Sequence, residues 1–376
     1  MKISLRRFRT PAALLLIAAA FGLSSPSPGQ PDICPEVMKL HREAIVCDLH
    51  ADTSFMITYQ GFDISKRHRT VKWGPAGVLP IFSDIDIPRM REGGLDLVTI
   101  AICPSPKTNK IPGAAAFVRR GLNALDRMFE QNGDDLTLAR SPAEAREIIS
   151  SGRIAVLVAV EGGQGIEEDL EILREFYDRG VRYLTITHSK HLSWALSAGE
   201  PLPPEAPGLT DFGIQVVREM EKMGMMIDLA HVSERTFWAV IEAVEAPVLV
   251  THAAAYGIAP HPRNLTDEQI LAVAERGGVI GVIFYDKYLD PSGQKPRDVG
   301  LVADHIDYIR DLAGVEVIAL GSDFDGSITK PPDLADASYL PNLTAELVRR
   351  GYSEAEIKKI LGENFLRAWE KIVSGK

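Results

Sequence analysis

Ala44-Ile45-Val46-Cys47-Asp48-Leu49-His50-Ala51-Asp52 decides how this chain is to be read. An apolar run that stops at a histidine and a carboxylate two residues apart has the pattern of a short buried strand with polar groups at its C-terminal end. Side chains alternate along a strand with period 2, so His50 and Asp52 point the same way. An imidazole nitrogen and a carboxylate oxygen on one face are a ligand pair for a divalent metal such as zinc.

Working outward, the same grammar recurs. Leu95–Ile102, Ile154–Val160, Tyr183–Thr187, Met225–Leu229, Val248–Thr251, Gly278–Phe284 and Val317–Gly321 are further apolar runs of strand length, which with the first make eight. They are continuous rather than alternating, as strands buried on both faces are. Helical segments separate most of them. These include 114–131, a helix capped by Ser141-Pro142-Ala143-Glu144, 167–178, and helices opening at Thr210-Asp211 and Ser233. A helix over 302–312 and a closing one from Ser353 through Trp369 complete the set. Residues 54–90 and 190–209 read as irregular, with Lys66-Arg67-His68-Arg69 and Trp73-Gly74-Pro75 in a polar excursion that reads as a flap on a solvated loop.

Eight such units predict an α/β fold, a (β/α)8 TIM barrel with inserted loops covering its C-terminal face. A doubly wound sheet is the alternative. The position of the polar residues favours the barrel: His50, Asp52, Glu161, His188, His231, His252 and Asp323 all fall at or just beyond strand C-termini. In a barrel those ends converge on one face, whereas an open sheet would string them along an edge.

The 376 residues are 45% hydrophobic and 24% charged, an ordinary globular composition. A formal net charge of −10 and the lack of a basic cluster past the N-terminus argue against a nucleic-acid partner. MKISLRRFR, the apolar run Ala12–Leu23 and SSPSPGQP have the layout of a secretory signal peptide over residues 1–30, leaving 31–376 as one domain. The expected product is periplasmic or secreted, without a stable membrane span; an uncleaved anchor is the other reading. Cys34, Cys47 and Cys103 allow at most one disulfide and have no zinc-site spacing.

Five strand-end residues suit two adjacent metal ions: His50, Asp52, Glu161, His231 and His252. Glu161 is followed by Gly162-Gly163, which lets the chain turn away while the carboxylate bridges both ions. Two such ions share a water, lower its pKa and hold it as a nucleophile. Asp323 is placed to trade a proton with that water and the leaving amine. His188 is a candidate donor to an oxyanion, with His191 a weaker one, and Arg263 has the planar fork to clamp a carboxylate. Asp325 reads as a turn residue, and His305 as a residue on a helix surface.

Over residues 44–370 the chain resembles the membrane (renal-type) dipeptidases, peptidase family M19, among the amidohydrolase-like metal-dependent barrels. The resemblance is carried by DLHAD (48–52), EGG (161–163), YLTITH (183–188), GLTDFG (208–213), MIDLAHVS (226–233) and THAAAY (251–256). PRNLTDEQI (262–270), VADHID (302–307), GSDFDG (321–326) and ILGENFLR (360–367) extend it in the same order. It implies two Zn2+ per chain, one held by residues matching His50, Asp52 and Glu161, the other by those matching Glu161, His231 and His252. It further implies substrate contact at His188, carboxylate binding at Arg263, a pocket wall at Tyr288 and proton transfer by Asp323.

The activity implied is hydrolysis of dipeptides by a metal-bridging hydroxide, with a D-residue at the C-terminal position among the candidates, and a homodimer would suit the family. Two rival functions are a related amide, lactone or ester hydrolase on a non-peptide substrate and a non-catalytic exported binding protein. Departures from the family pattern are His-Ala-Asp for the more common His-Asn-Asp, a different segment 60–80, and the Ala101-Ile102-Cys103-Pro104 strand end. Cysteines at the mammalian bridge positions and a C-terminal apolar tail are not evident.

Overall fold

A computed structural model describes residues 33–68, 83–104 and 113–375. The export segment and Trp73-Gly74-Pro75 lie outside the described residues. Nine strands are present among them: β1 (Cys47–Ala51), β2 (Leu97–Ile102), β3 (Leu136–Leu138), β4 (Ile154–Glu161), β5 (Val181–Thr185), β6 (Met226–Asp228), β7 (Leu249–Ala253), β8 (Val279–Val282) and β9 (Ile318–Leu320). All pair in parallel. β2 bonds to β4 along its whole length, from Leu97↔Ala155 to Ile102↔Val160, and β1 meets β9 at Asp48↔Leu320. The ring β1-β2-β4-β5-β6-β7-β8-β9 therefore closes as the eight-stranded barrel that the sequence predicts.

A ninth strand, β3, which the sequence reading does not foresee, is added outside that ring. It pairs with the first half of β4 (Leu136↔Ile154 to Leu138↔Val156), while β5 takes over the second half from Val158 to Glu161. At three residues it is too short to leave a periodic trace in the sequence. The segment 54–90 also holds more structure than its composition suggests. Helices run over Ser54–Tyr59 and Ile87–Gly93. The second is delimited by local chemistry: the Asp86 carboxylate accepts from Arg89 N–H at 2.8 Å, and Gly94 stops it in the left-handed region at φ 65°.

Alternating side chains split the strands between two apolar regions. Val98, Ile100, Val156, Val158, Val250 and Ile280 belong to the larger cluster, shared with the helices. Leu49, Leu97, Leu157, Tyr183, Leu249 and Val279 belong to the other, together with Phe365, Leu366 and Trp369 of the closing helical segment. That segment is packed under the starts of the strands. A Cβ on Gly362 would stand 2.4 Å from the Ile45 carbonyl oxygen and 2.9 Å from Cys47 Sγ, so only glycine fits there. The closing helix is interrupted by a π-helical turn at Lys359–Glu363, which the periodicity does not announce. With the strand starts filled, the strand ends carrying Glu161 and His252 form the open face.

Candidate metal centre and active site

Two strand irregularities aim the first ligands. The register of β1 shifts between Asp48 and Ala51, and that of β7 between Val250 and Ala253. His50 and His252 sit inside these shifts, where an extra residue re-aims a side chain. β7 runs one residue past His252 rather than ending before it. Asp48, fully buried, anchors the first irregularity by accepting the Ser322 N–H at 2.9 Å.

Glu161, at the end of β4, is the hub. Its Oε1 lies 3.1 Å from His231 Nε2 and 3.5 Å from both His50 Nε2 and His252 Nε2. Its Oε2 faces His188 Nε2 at 3.9 Å. Asp52 Oδ1 is 4.0 Å from His50 Nε2, and His231 and His252 bring their Nε2 atoms within 2.8 Å of each other. Carboxylate oxygens of Asp52 and Asp323 also come together with a His50 ring nitrogen. All five expected ligands thus converge, with His188 and Asp323 at the same cluster.

Hydrogen bonds outside the cluster set which nitrogen of each ring carries the lone pair. Tyr183 donates its phenol hydrogen to the Leu49 carbonyl (3.0 Å), so it can only accept from His50 Nδ1 (2.8 Å), leaving Nε2 unprotonated. Thr251 donates to Asp228 Oδ2 (2.8 Å) and accepts from His252 Nδ1 (2.9 Å), with the same consequence. Asp228 is itself fixed by Thr185 Oγ1 and the N–H groups of Ala230 and Thr251. Burial, above all, holds the His50 and His252 rings below their ordinary pKa and takes His231 to about 3, so all three are neutral donors.

These residues fit a metal. His50 is wholly buried and its Nε2 has no hydrogen-bond partner, an arrangement that costs about 1–3 kcal/mol unless something binds there. Burial and the neighbouring Glu161 charge push Asp52 and Asp323 well above the carboxylate range. Replacing Thr251 by Val should weaken metal affinity about 10–100-fold by freeing the His252 ring; a chelator competition assay reads this, and unchanged affinity would remove Thr251 from the supporting shell.

Arg263 is buried beneath the same face. One of its terminal nitrogens donates to the His252 carbonyl at 3.3 Å, its Nε has no partner, and Tyr288 lies with its ring centroid 5.6 Å from the guanidinium carbon. Among the described residues no carboxylate forms an ion pair with it. His191 is spent locally, accepting from Ser197 N–H, and is not part of the cluster. His305 is buried rather than surface, bonded to Ala255 N–H and the Leu289 carbonyl. In the basic run, Lys66 pairs with Asp63 and Arg67 with Glu92, while Arg69 lies outside the described residues.

Several members of the site left little trace in the sequence. Asp325 is a lock rather than a simple turn residue. It accepts from Asp84 N–H at 2.6 Å and from Thr53 Oγ1 at 2.6 Å, and donates its own N–H to Asp84 Oδ2 at 2.9 Å. Lys330 Nζ reaches the same Asp84 oxygen at 2.5 Å. Burial and the Asp84 charge raise Asp325 to about 8. Lys330→Met should cost about 3–5 kcal/mol in urea denaturation, because it leaves the buried Asp84 carboxylate without its cation. Cys103 is a second unforeseen member. Its Sγ, a Glu161 oxygen and a His188 ring nitrogen lie within 4.8 Å of one another. Burial, then Glu161 and Asp52, push its thiol well up, so it is no free nucleophile. All three cysteines are unbridged.

A closed parallel barrel with neutral histidines and carboxylates gathered at its strand C-termini has the architecture of a metal-dependent hydrolase of amidohydrolase type. The sequence pattern of the membrane dipeptidases (Peptidase family M19) matches residues 35–375, and the chain belongs to this family of dipeptide-cleaving metallohydrolases. Among solved structures, a Rhodobacter sphaeroides metallopeptidase liganded with a phosphinate mimic of L-Ala-D-Ala is 27% identical, with 88% of this chain and 100% of that one covered and a TM-score of 0.76. The family M19 metallopeptidase dipeptidase AC is also 27% identical, covering 87% and 98% at a TM-score of 0.76. The probable dipeptidase PvdM of Pseudomonas aeruginosa, 22% identical over 91% and 98%, shares the fold at a TM-score of 0.81. Among the described residues no helix is long and apolar enough to cross a membrane.

Proposed function

We propose that this chain is an exported binuclear zinc dipeptidase, with residues 1–30 as its leader and 31–376 as its single domain. The observation that carries the reading is Arg263: a buried guanidinium with an unpartnered Nε, placed beside the ligand cluster. A buried cation in want of a carboxylate suits a substrate whose free C-terminus lies close to the bond being cut.

His50, Asp52 and Glu161 would hold one ion, and Glu161, His231 and His252 the other. Bound there, the ions supply the Lewis acidity that acidifies a water and polarises the peptide carbonyl. The side chains do the remaining work. Arg263 binds the substrate carboxylate with Tyr288 against its flank, which restricts the enzyme to very short peptides. His188 donates a hydrogen bond to the carbonyl oxygen as negative charge gathers on it. Asp323 takes the proton from the attacking water and passes it to the departing amine, so two free amino acids leave.

The test pairs elemental analysis with hydrolysis of L,L- and L,D-dipeptides, the latter because the Rhodobacter neighbour binds a mimic of L-Ala-D-Ala. Two zinc ions per chain with chelator-sensitive turnover are expected. Metal without dipeptide turnover would move the substrate to a non-peptide amide, lactone or ester. Arg263→Ala should raise KM for dipeptides about 10–100-fold, the loss of ~1.5–3 kcal/mol from a charged hydrogen-bonded contact. An unchanged KM would remove the dipeptide anchor. A homodimer is the expected assembly, checked by sedimentation.

A further inference from the structure

Around the barrel, β2 stands between β1, which carries His50 and is followed by Asp52, and β4, which carries Glu161. Cys103 is the first residue beyond β2. It therefore occupies on its strand the place that the proposed ligands occupy on theirs. Its Sγ is within 4.8 Å of a Glu161 carboxylate oxygen and a His188 ring nitrogen, and those two are as close to each other.

The strand end is held in place by the same turns that carry the ligands. Ser54 Oγ, in the helix after Asp52, donates to the Ala101 carbonyl at 2.5 Å. Gln164 Nε2, in the turn after Glu161, donates to the Pro104 carbonyl at 2.9 Å. Cys103 is thus fixed from both sides relative to Asp52 and Glu161.

A second observation points to a ligand at this spot. His50, fully buried, directs an unpartnered Nε2 at the same Glu161 carboxylate, 3.5 Å from its Oε1. Glu161 is thus shared by two donor groups, one with His50 and His252 and the other with His188 and Cys103.

We propose that Cys103 is a sulfur ligand of this metal centre, bonding to an ion held by Glu161. This goes beyond the nitrogen and oxygen donors of the proposed function while resting on that reading's claim that metal binds here. As the metal–sulfur bond forms, the thiol releases its proton to solvent, and no oxidant or reductant is needed. A thiolate makes the centre softer than histidine and carboxylate alone, favouring zinc and its thiophilic relatives over magnesium or manganese.

Cobalt(II) substitution of the metal-free full-length protein tests this. Wild type should develop visible d–d bands together with a near-ultraviolet sulfur-to-cobalt charge-transfer band. Cys103→Ser should keep the d–d bands and lose the charge-transfer band. If d–d bands appear in wild type without charge transfer, or if the band survives in Cys103→Ser, the inference is overturned while the metal reading stands. If no visible bands appear at all, the metal reading itself falls and takes this one with it. X-ray absorption at the zinc edge of the wild-type holoprotein answers without a variant: a Zn–S shell at about 2.3 Å is expected beside the nitrogen and oxygen shell. A shell of nitrogen and oxygen alone overturns the assignment.

Discussion

Glu161→Gln should abolish turnover, lowering it by more than about 10³-fold, and leave the purified protein with less than half of its metal. Both carboxylate oxygens face histidine nitrogens, one toward His50, His231 and His252 and the other toward His188. Glutamine keeps the shape but offers one oxygen and a donor amide, which points hydrogens at rings whose lone pairs are already directed inward. The anionic charge that the two proposed ions would share is lost with it. The fold should survive, because β4 is held by its pairing to β2 and β5 and by its apolar residues. Circular dichroism like wild type with metal-poor, inactive protein is the expected outcome. A fully loaded variant would show that Glu161 does not bridge.

Asp323→Asn should lower kcat for dipeptides by about 10²–10⁴-fold, or ~2.7–5.5 kcal/mol, with little change in KM. Asp323 has a left-handed backbone at φ 62° and donates its N–H to the His50 carbonyl at 3.1 Å. Next to it, the Phe324 carbonyl accepts from Asp52 N–H at 2.8 Å. Asparagine tolerates that conformation and keeps both bonds, so the variant removes the proton carrier and little else. Metal content separates the roles: retained metal with lost turnover assigns proton transfer, whereas lost metal makes Asp323 a ligand with His50 and Asp52. Wild-type turnover would end the proton-transfer assignment.

The members of the candidate site were legible in the sequence because each stands beside a strand of ordinary pattern. Ile154–Val160 is a run that only a buried strand explains, and Glu161 follows it directly. His188, His231 and His252 are placed by the same rule. The rule fails where an element is too short for a period, as at β3, or where a helix is set by caps rather than by an apolar stripe, as at Ile87–Gly93. It fails again for Asp325, whose turn-like setting Asp-Phe-Asp-Gly hides a partner 241 residues away in Asp84.

The sequence by itself determined the number of barrel strands, the face on which the polar cluster lies and the residues proposed to bind metal there. All of these follow from local periodicity and from which residue comes next after a strand. Only the tertiary structure decided which nitrogen of each ring is free, through Tyr183 for His50 and the Asp228–Thr251 pair for His252. It alone brought Cys103 to Glu161, left Arg263 without a carboxylate partner among the described residues, and joined Lys330 to Asp84. The physical reason is closure: residues far apart in the chain become neighbours when β1 meets both β2 and β9, and their hydrogen bonds depend on positions that no local pattern encodes.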